Sequence, residues 1–171
     1  MIFVRINIAF EQKCGKCVIA VRFGNYEIAG TELAGQYDLF VSYCDKGDTV
    51  NAERLGTDLL NNSKYRSVMT DKTTAEILRY MGDCYFDEGD FANAVENYKS
   101  AYEIADDDNA EVCLRDYAIA LVKGKRFSEA QSVISMAEEK FPNSSVNKLL
   151  QAEIEYENGN LENSLNYANE C

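Results

Sequence analysis

The chain has 171 residues, enough for one domain or a short repeat array. Lys and Arg total 17 against 29 Asp and Glu, and this net charge of −12 argues against a phosphate backbone or an anionic membrane as the main partner. The absence of histidine removes Ser-His and Cys-His nucleophile pairs, His-bearing zinc sites and imidazole pH switches together.

Residues 1–32 admit two readings. The opening MIFVRINIAF has neither a basic leader nor a small-residue cleavage site and does not read as a signal peptide. Its alternation suits a strand, and KCGK suits a hairpin turn. A comparison with the following segment favours a helical hairpin instead. At a shift of 32, Gly15, Val18, Ala20, Arg22 and Gly24 fall on Gly47, Val50, Ala52, Arg54 and Gly56. The β-hairpin stands as the alternative for this segment.

Residues 33–66 carry Leu39, Tyr43, Gly47 and Ala52 at hairpin spacing, and RSVMTDKTT then reads as a long loop with Thr70 or Asp71 as the N-cap of the next helix. Over 75–108, Leu78, Met81 and Tyr85 recur at three and four residues, GDF breaks the stripe, and Phe91, Ala94, Val95, Tyr98, Ala101 and Tyr102 form a second one. Two amphipathic helices with a tight turn make a helical hairpin. Residues 111–144 repeat the plan at a shift of 36, with Phe91 on Phe127, Ala94 on Ala130, Ala101 on Ala137 and Gly82 on Ala118. Residues 145–171 begin it again with Ala152, Gly159, Leu161, Ser164 and Ala168.

This pattern resembles the tetratricopeptide repeat, a unit of about 34 residues. Its series of bulky, Leu, small, aromatic, Ala, aromatic, Ala and Pro positions is matched by Leu78, Met81, Gly82, Tyr85, Ala94, Tyr98 and Ala101, with Asp106 in the Pro slot. In the next unit it is matched by Leu114, Tyr117, Ala118, Leu121, Ala130, Ile134, Ala137 and Pro142. In the 33–66 unit Phe40 takes the small slot and Gly56 an aromatic one, so that unit is degenerate. The resemblance implies an all-α, right-handed superhelix of stacked antiparallel helix pairs. It would be a single array with units at about 1–32 (degenerate), 33–66 (degenerate), 75–108, 111–144 and 145–171 (truncated). Uncapped ends would expose apolar residues such as Leu161 and Leu165 and permit self-association.

Motifs for chemistry are weak. Cys14-Gly-Lys-Cys17 could be half a zinc knuckle or a redox pair, but no second CxxC supplies further ligands, and packing is the expected role. Cys44, Cys84, Cys113 and Cys171 fall at small packing positions of the repeat. Asp106, Asp107 and Asp108 lack the Gly and Glu of a calcium loop and read as a solvated turn. No catalytic residue, metal or cofactor is expected, and no apolar run has the length of a membrane span. Reduced thiols place the chain in the cytoplasm.

What remains is a surface. In the repeat family the first helix of each pair lines a concave groove, which here implies Tyr37, Asp38 and Val41; Arg79, Tyr80 and Asp83; Arg115, Asp116 and Ile119; and Leu149, Leu150 and Glu153. The family's carboxylate clamp fails residue by residue, because its Asn places hold Asp83 and Asp116, and the Lys and Arg places of the last unit hold Val146 and Leu150. The expected function is a non-enzymatic scaffold or adaptor that binds a peptide segment, basic or mixed in charge with apolar anchors, and no nucleic acid or membrane. The alternative is the regulatory arm of a larger enzyme or signalling protein whose active domain lies outside this chain.

Overall fold

The structure is a computed structural model that describes residues 25–142 and 144–170. Both readings of residues 1–32 fall mainly outside these, as do Cys14, Cys17 and Cys171.

Nine helices follow in chain order among the described residues: α1 (Asn25–Asp45), α2 (Thr49–Asn61), α3 (Ser63–Arg66), α4 (Asp71–Asp87), α5 (Phe91–Ile104), α6 (Asp107–Lys123), α7 (Phe127–Lys140), α8 (Ser145–Glu157) and α9 (Leu161–Asn169). There is no strand among them. The pairs α1–α2, α4–α5, α6–α7 and α8–α9 are hairpins, and each second helix packs on the first helix of the next pair. α1 starts at Asn25 and runs unbroken through residues 32 and 33, where the sequence repeat suggests a boundary. The expected long loop at 66–74 is shorter, because α4 begins at Asp71. Its cap is Thr70, whose hydroxyl accepts the Thr73 N–H at 3.1 Å.

Local chemistry explains the turns. Each hairpin reverses through one residue in the left-handed region: Gly47 (φ 67°), Gly89 (φ 78°) and Gly159 (φ 80°), with Lys125 (φ 59°) in the third. Only glycine accepts that region without a Cβ penalty. The helix that follows is then capped. Asp48 and Asp90 accept the backbone N–H of Asn51 and Asn93, and the same asparagines donate side-chain N–H groups back at 2.8 and 2.7 Å. Asp106 and Asn109 repeat the device at the start of α6. Such caps satisfy N–H groups that the helix leaves unpaired. The third hairpin replaces the pair with Arg126 and Glu129, joined by two 2.7 Å hydrogen bonds.

Close helix approach depends on matched sizes. Gly82 on α4 faces the Tyr98 ring of α5, so close that a Cβ there would lie 2.6 Å from Cε1. In the first hairpin the sizes are exchanged. Phe40 on α1 is fully buried, and Gly56 on α2 makes room for it; a Cβ at Gly56 would lie 2.9 Å from Phe40 Cε2. The degenerate unit is therefore the same contact with large and small residues swapped between helices. In the third hairpin Ala118 and Ile134 take these places, both buried.

The core is one cluster around Phe40, Leu59, Ile77 and Met81, and a second around Val95, Leu114, Leu121 and Ile134. Ala94 and Ala130, the small positions of the second helices, are fully buried. The last helix differs. α9 buries no residue, and Leu161 and Leu165 are 58% and 64% exposed.

Candidate functional site

Among first helices, α1 lies against α4 and α6 against α8, whereas α4 and α6 stand further apart. Polar side chains bridge from one first helix to the next. The Tyr37 hydroxyl on α1 donates to Glu76 on α4 at 3.0 Å, so Glu76 is half-buried and occupied. Burial first, and then the Glu76 carboxylate, push the Tyr37 phenol well above its ordinary range. Asp38, beside it, is exposed.

The centre of the face is a charge network. Arg79 on α4 reaches Asp83 at 3.5 Å and crosses to Asp116 on α6 at 3.7 Å. Arg115 adds two hydrogen bonds to Asp116, at 2.8 and 3.0 Å. Asp83 also accepts the Tyr98 hydroxyl of α5 at 2.7 Å. The Asp116 side chain is only 12% exposed, so this network is part of the fold and not a loose surface pair. Burial raises the Asp83 carboxyl above the ordinary aspartate value, although Tyr98 and Arg79 oppose that rise. Tyr80 is half-buried, edge-on to Phe40 at 6.2 Å between centroids, with the Arg79 guanidinium 5.1 Å from its own ring. Further along, Lys123 on α6 pairs with Glu153 on α8.

These contacts redraw the face expected from sequence. Tyr37, Arg79, Tyr80, Asp83, Arg115 and Asp116 come together across α1, α4 and α6. Their acids are not free, however: Asp83 and Asp116 are answered by Arg79, Arg115 and Tyr98, and Glu153 by Lys123. Leu150 is a correction. It is 4% exposed and belongs to the core around Leu121, because its place on α8 turns toward the preceding hairpin. Its neighbour Leu149, also expected on the groove, is 51% exposed and, with Tyr156, is an apolar side chain that α8 offers. Helix periodicity separates the two by about 100°, so of two adjacent leucines expected on the groove one is core and the other surface.

Sequence reasoning missed the partners Glu76 and Lys123, and it missed a thiol pair. Cys44 near the end of α1 and Cys84 on α4 line one cavity beside this face. Both are free thiols, as is buried Cys113. A repeat offset that places α1 beside α4 was the available signal. Among the described residues, no group of three His, Cys, Asp or Glu is arranged to hold a metal ion. Asp106 caps α6, and Asp107 and Asp108 fill its first turn, where acidic residues meet the positive end of the helix dipole favourably. No helix among the described residues is long and apolar enough to cross a membrane.

Comparison with known families matches residues 85–154 to the family described as Tetratricopeptide repeat. No curated protein matches the chain.

Proposed function

Because residues 85–154 of this chain are tetratricopeptide repeats, we propose that it is a non-catalytic interaction module that takes a peptide segment of a partner protein along its first helices. The carrying observation is the run of bridges on one side of the stack, Tyr37 to Glu76, Arg79 to Asp116 and Lys123 to Glu153. Each ties one first helix to another, so the face is held in shape before any ligand arrives, and such preorganisation lowers the ordering cost of binding.

Exposed groups flank this braced strip. Asp38 and Leu39 project from α1, and Leu149 and Tyr156 from α8. A partner segment that is basic or mixed in charge, with one or two bulky apolar anchors, complements them. The anchors would meet Tyr37, Tyr80 and Leu149, and Asp38 would meet a cation. The net charge of −12 adds a long-range field that speeds the encounter of cationic segments. Affinity should fall as salt rises, since exposed charges are screened beyond about 8–10 Å at physiological ionic strength. On this reading the working compartment is the cytoplasm, where thiols such as Cys84 and Cys113 stay reduced. Self-association through the exposed apolar side of α9 would be a second, weaker contact of the same chain.

The test is a comparison of variants against a partner captured on the wild-type protein. Asp38→Lys with Leu149→Asp should lose the partner without loss of helical signal. Glu103→Lys, on exposed α5 surface, should retain it. If the outer-face variant loses the partner and the first-helix variant keeps it, the reading is wrong.

A further inference from the structure

Beside the first-helix face, a cavity of about 290 Å³ opens between the α1–α2 turn and α4. Its lining carries the carboxylates of Asp45, Asp83, Asp87 and Glu88 and the ring of Tyr80, with no lysine or arginine among the described residues. We propose that this cavity seats the guanidinium of one arginine from the partner segment, its stem on Tyr80 and its head among Asp45, Asp83 and Asp87. The seat presupposes a segment lying along the first helices, as proposed above, and fixes one residue that the segment must carry.

Charge points to a cation. On the neighbouring face Asp116 is answered by Arg79 and Arg115, Glu153 by Lys123, and Glu76 by Tyr37. In the cavity Arg79 reaches Asp83 at 3.5 Å from outside the lining, and the Thr49 hydroxyl donates to Glu88. Asp45 and Asp87 have no hydrogen bond or ion pair among the described residues. Lys46, next to Asp45, is exposed and does not line the cavity. Asp83 and Asp87 stand one turn apart on one side of α4, and Asp45 joins them from α1, so two hairpins aim like charge at one hollow. A concave wall focuses that field.

Size and geometry narrow the cation. The cavity is several times the roughly 30 Å³ of a water in the liquid. It falls just below the roughly 300–1,000 Å³ of pockets that take a whole small molecule, so it suits the head of one side chain. Among the described residues no three acids or thiols are arranged to hold a metal ion, which leaves an organic cation. Tyr80 selects the guanidinium. The chain already sets Arg79 5.1 Å from the centre of that ring while the same guanidinium meets Asp83. A planar guanidinium stacks on an aromatic face and serves several carboxylates at once, which an ammonium does less well. Tyr80 and Asp83 also belong to the first-helix face, so a segment crossing α4 passes over the opening.

The experiment titrates N-acetyl-arginine amide, N-acetyl-lysine amide and N-acetyl-citrulline amide into the full isotope-labelled chain and follows amide shifts by NMR. The arginine probe should give saturating shifts around Gly47, Tyr80 and Asp83. The lysine probe should bind more weakly, and citrulline, of the same shape without the charge, should leave these amides unmoved. Asp45→Asn with Asp87→Asn should weaken the arginine probe roughly fivefold with an unchanged helical spectrum. Shifts that never saturate, or that spread evenly over the acidic surface, would overturn the proposal, as would citrulline or lysine binding as tightly as arginine. A captured partner separates this seat from the face beneath it. If the Asp45→Asn, Asp87→Asn protein holds that partner as tightly as wild type while Asp38→Lys with Leu149→Asp loses it, the peptide face stands and the arginine seat falls.

Discussion

Replacing Gly82 with Ala tests the packing logic where it is tightest. The added Cβ would lie 2.6 Å from Cε1 and 2.7 Å from Cδ1 of Tyr98. The ring cannot retreat freely, because Tyr98 is buried and its hydroxyl is held 2.7 Å from Asp83. Overpacking of this kind costs about 1–3 kcal/mol. Losing the hydrogen bond to a charged acceptor would add about 1.5–3 kcal/mol. Against this, Ala is favoured over Gly inside a helix by about 1 kcal/mol. The net expectation is a loss of about 1–3 kcal/mol, with the bond strained rather than broken. Gly35, in the middle of α1, has nothing within 4 Å of a built Cβ, so Gly35→Ala should stabilise by about 0.5–1 kcal/mol. Urea melts followed by helical circular dichroism would give both values. Adding Tyr98→Ile to Gly82→Ala recreates the Ala118–Ile134 pairing, and the cost of the alanine should shrink in that background. A Gly82→Ala protein as stable as Gly35→Ala would refute the size-matching argument.

Three further outcomes follow from particular residues. Lys125→Gly should raise the melting temperature, by up to about 1 kcal/mol of added stability, because Lys125 holds φ 59° where the other hairpins use glycine; a lower melting temperature would contradict this. Asp83 has a folded-state pKa above its unfolded value, so the native state binds its proton more tightly and wild-type stability gains from Asp83 protonation as pH falls through the raised value. Asp83→Asn lacks that gain, so any stability advantage it has at neutral pH should narrow on acidification, and a gap that widens in thermal melts between pH 7 and pH 4 would refute the assignment. Amide exchange should be faster in α9, which buries nothing, than in α4 to α7, and equal protection in a monomer would show that its apolar side is covered.

Much of this fold was legible because it is local and repeated. Leu78, Met81 and Tyr85 mark one face of α4, and Ala94 and Ala130 mark the small positions, so periodicity alone found the hairpins. The first hairpin was harder. Phe40 and Gly56 look like two failures of the pattern, yet they are one compensated contact, and compensation across two helices is invisible to a slot-by-slot reading. The start of α1 was hidden for a related reason: a repeat boundary inferred from spacing says nothing about whether the helix continues through it. The face was half legible. Its positions follow from register, so Arg79, Tyr80, Asp83, Arg115 and Asp116 fell together. Their pairing depends on side-chain reach between hairpins, as with Arg79 to Asp116 and Lys123 to Glu153, and that is set by packing. Leu150 shows the limit, because one residue of phase on α8 decides between core and surface.

Hydrogen exchange with and without a bound partner segment tests the binding face most directly. A captured segment should slow exchange at amides of α1, α4, α6 and α8, centred on residues near Asp38, Arg79 and Leu149, and leave α2, α5 and α7 unchanged. Protection confined to α5 and α7, or to α9 alone, would contradict it.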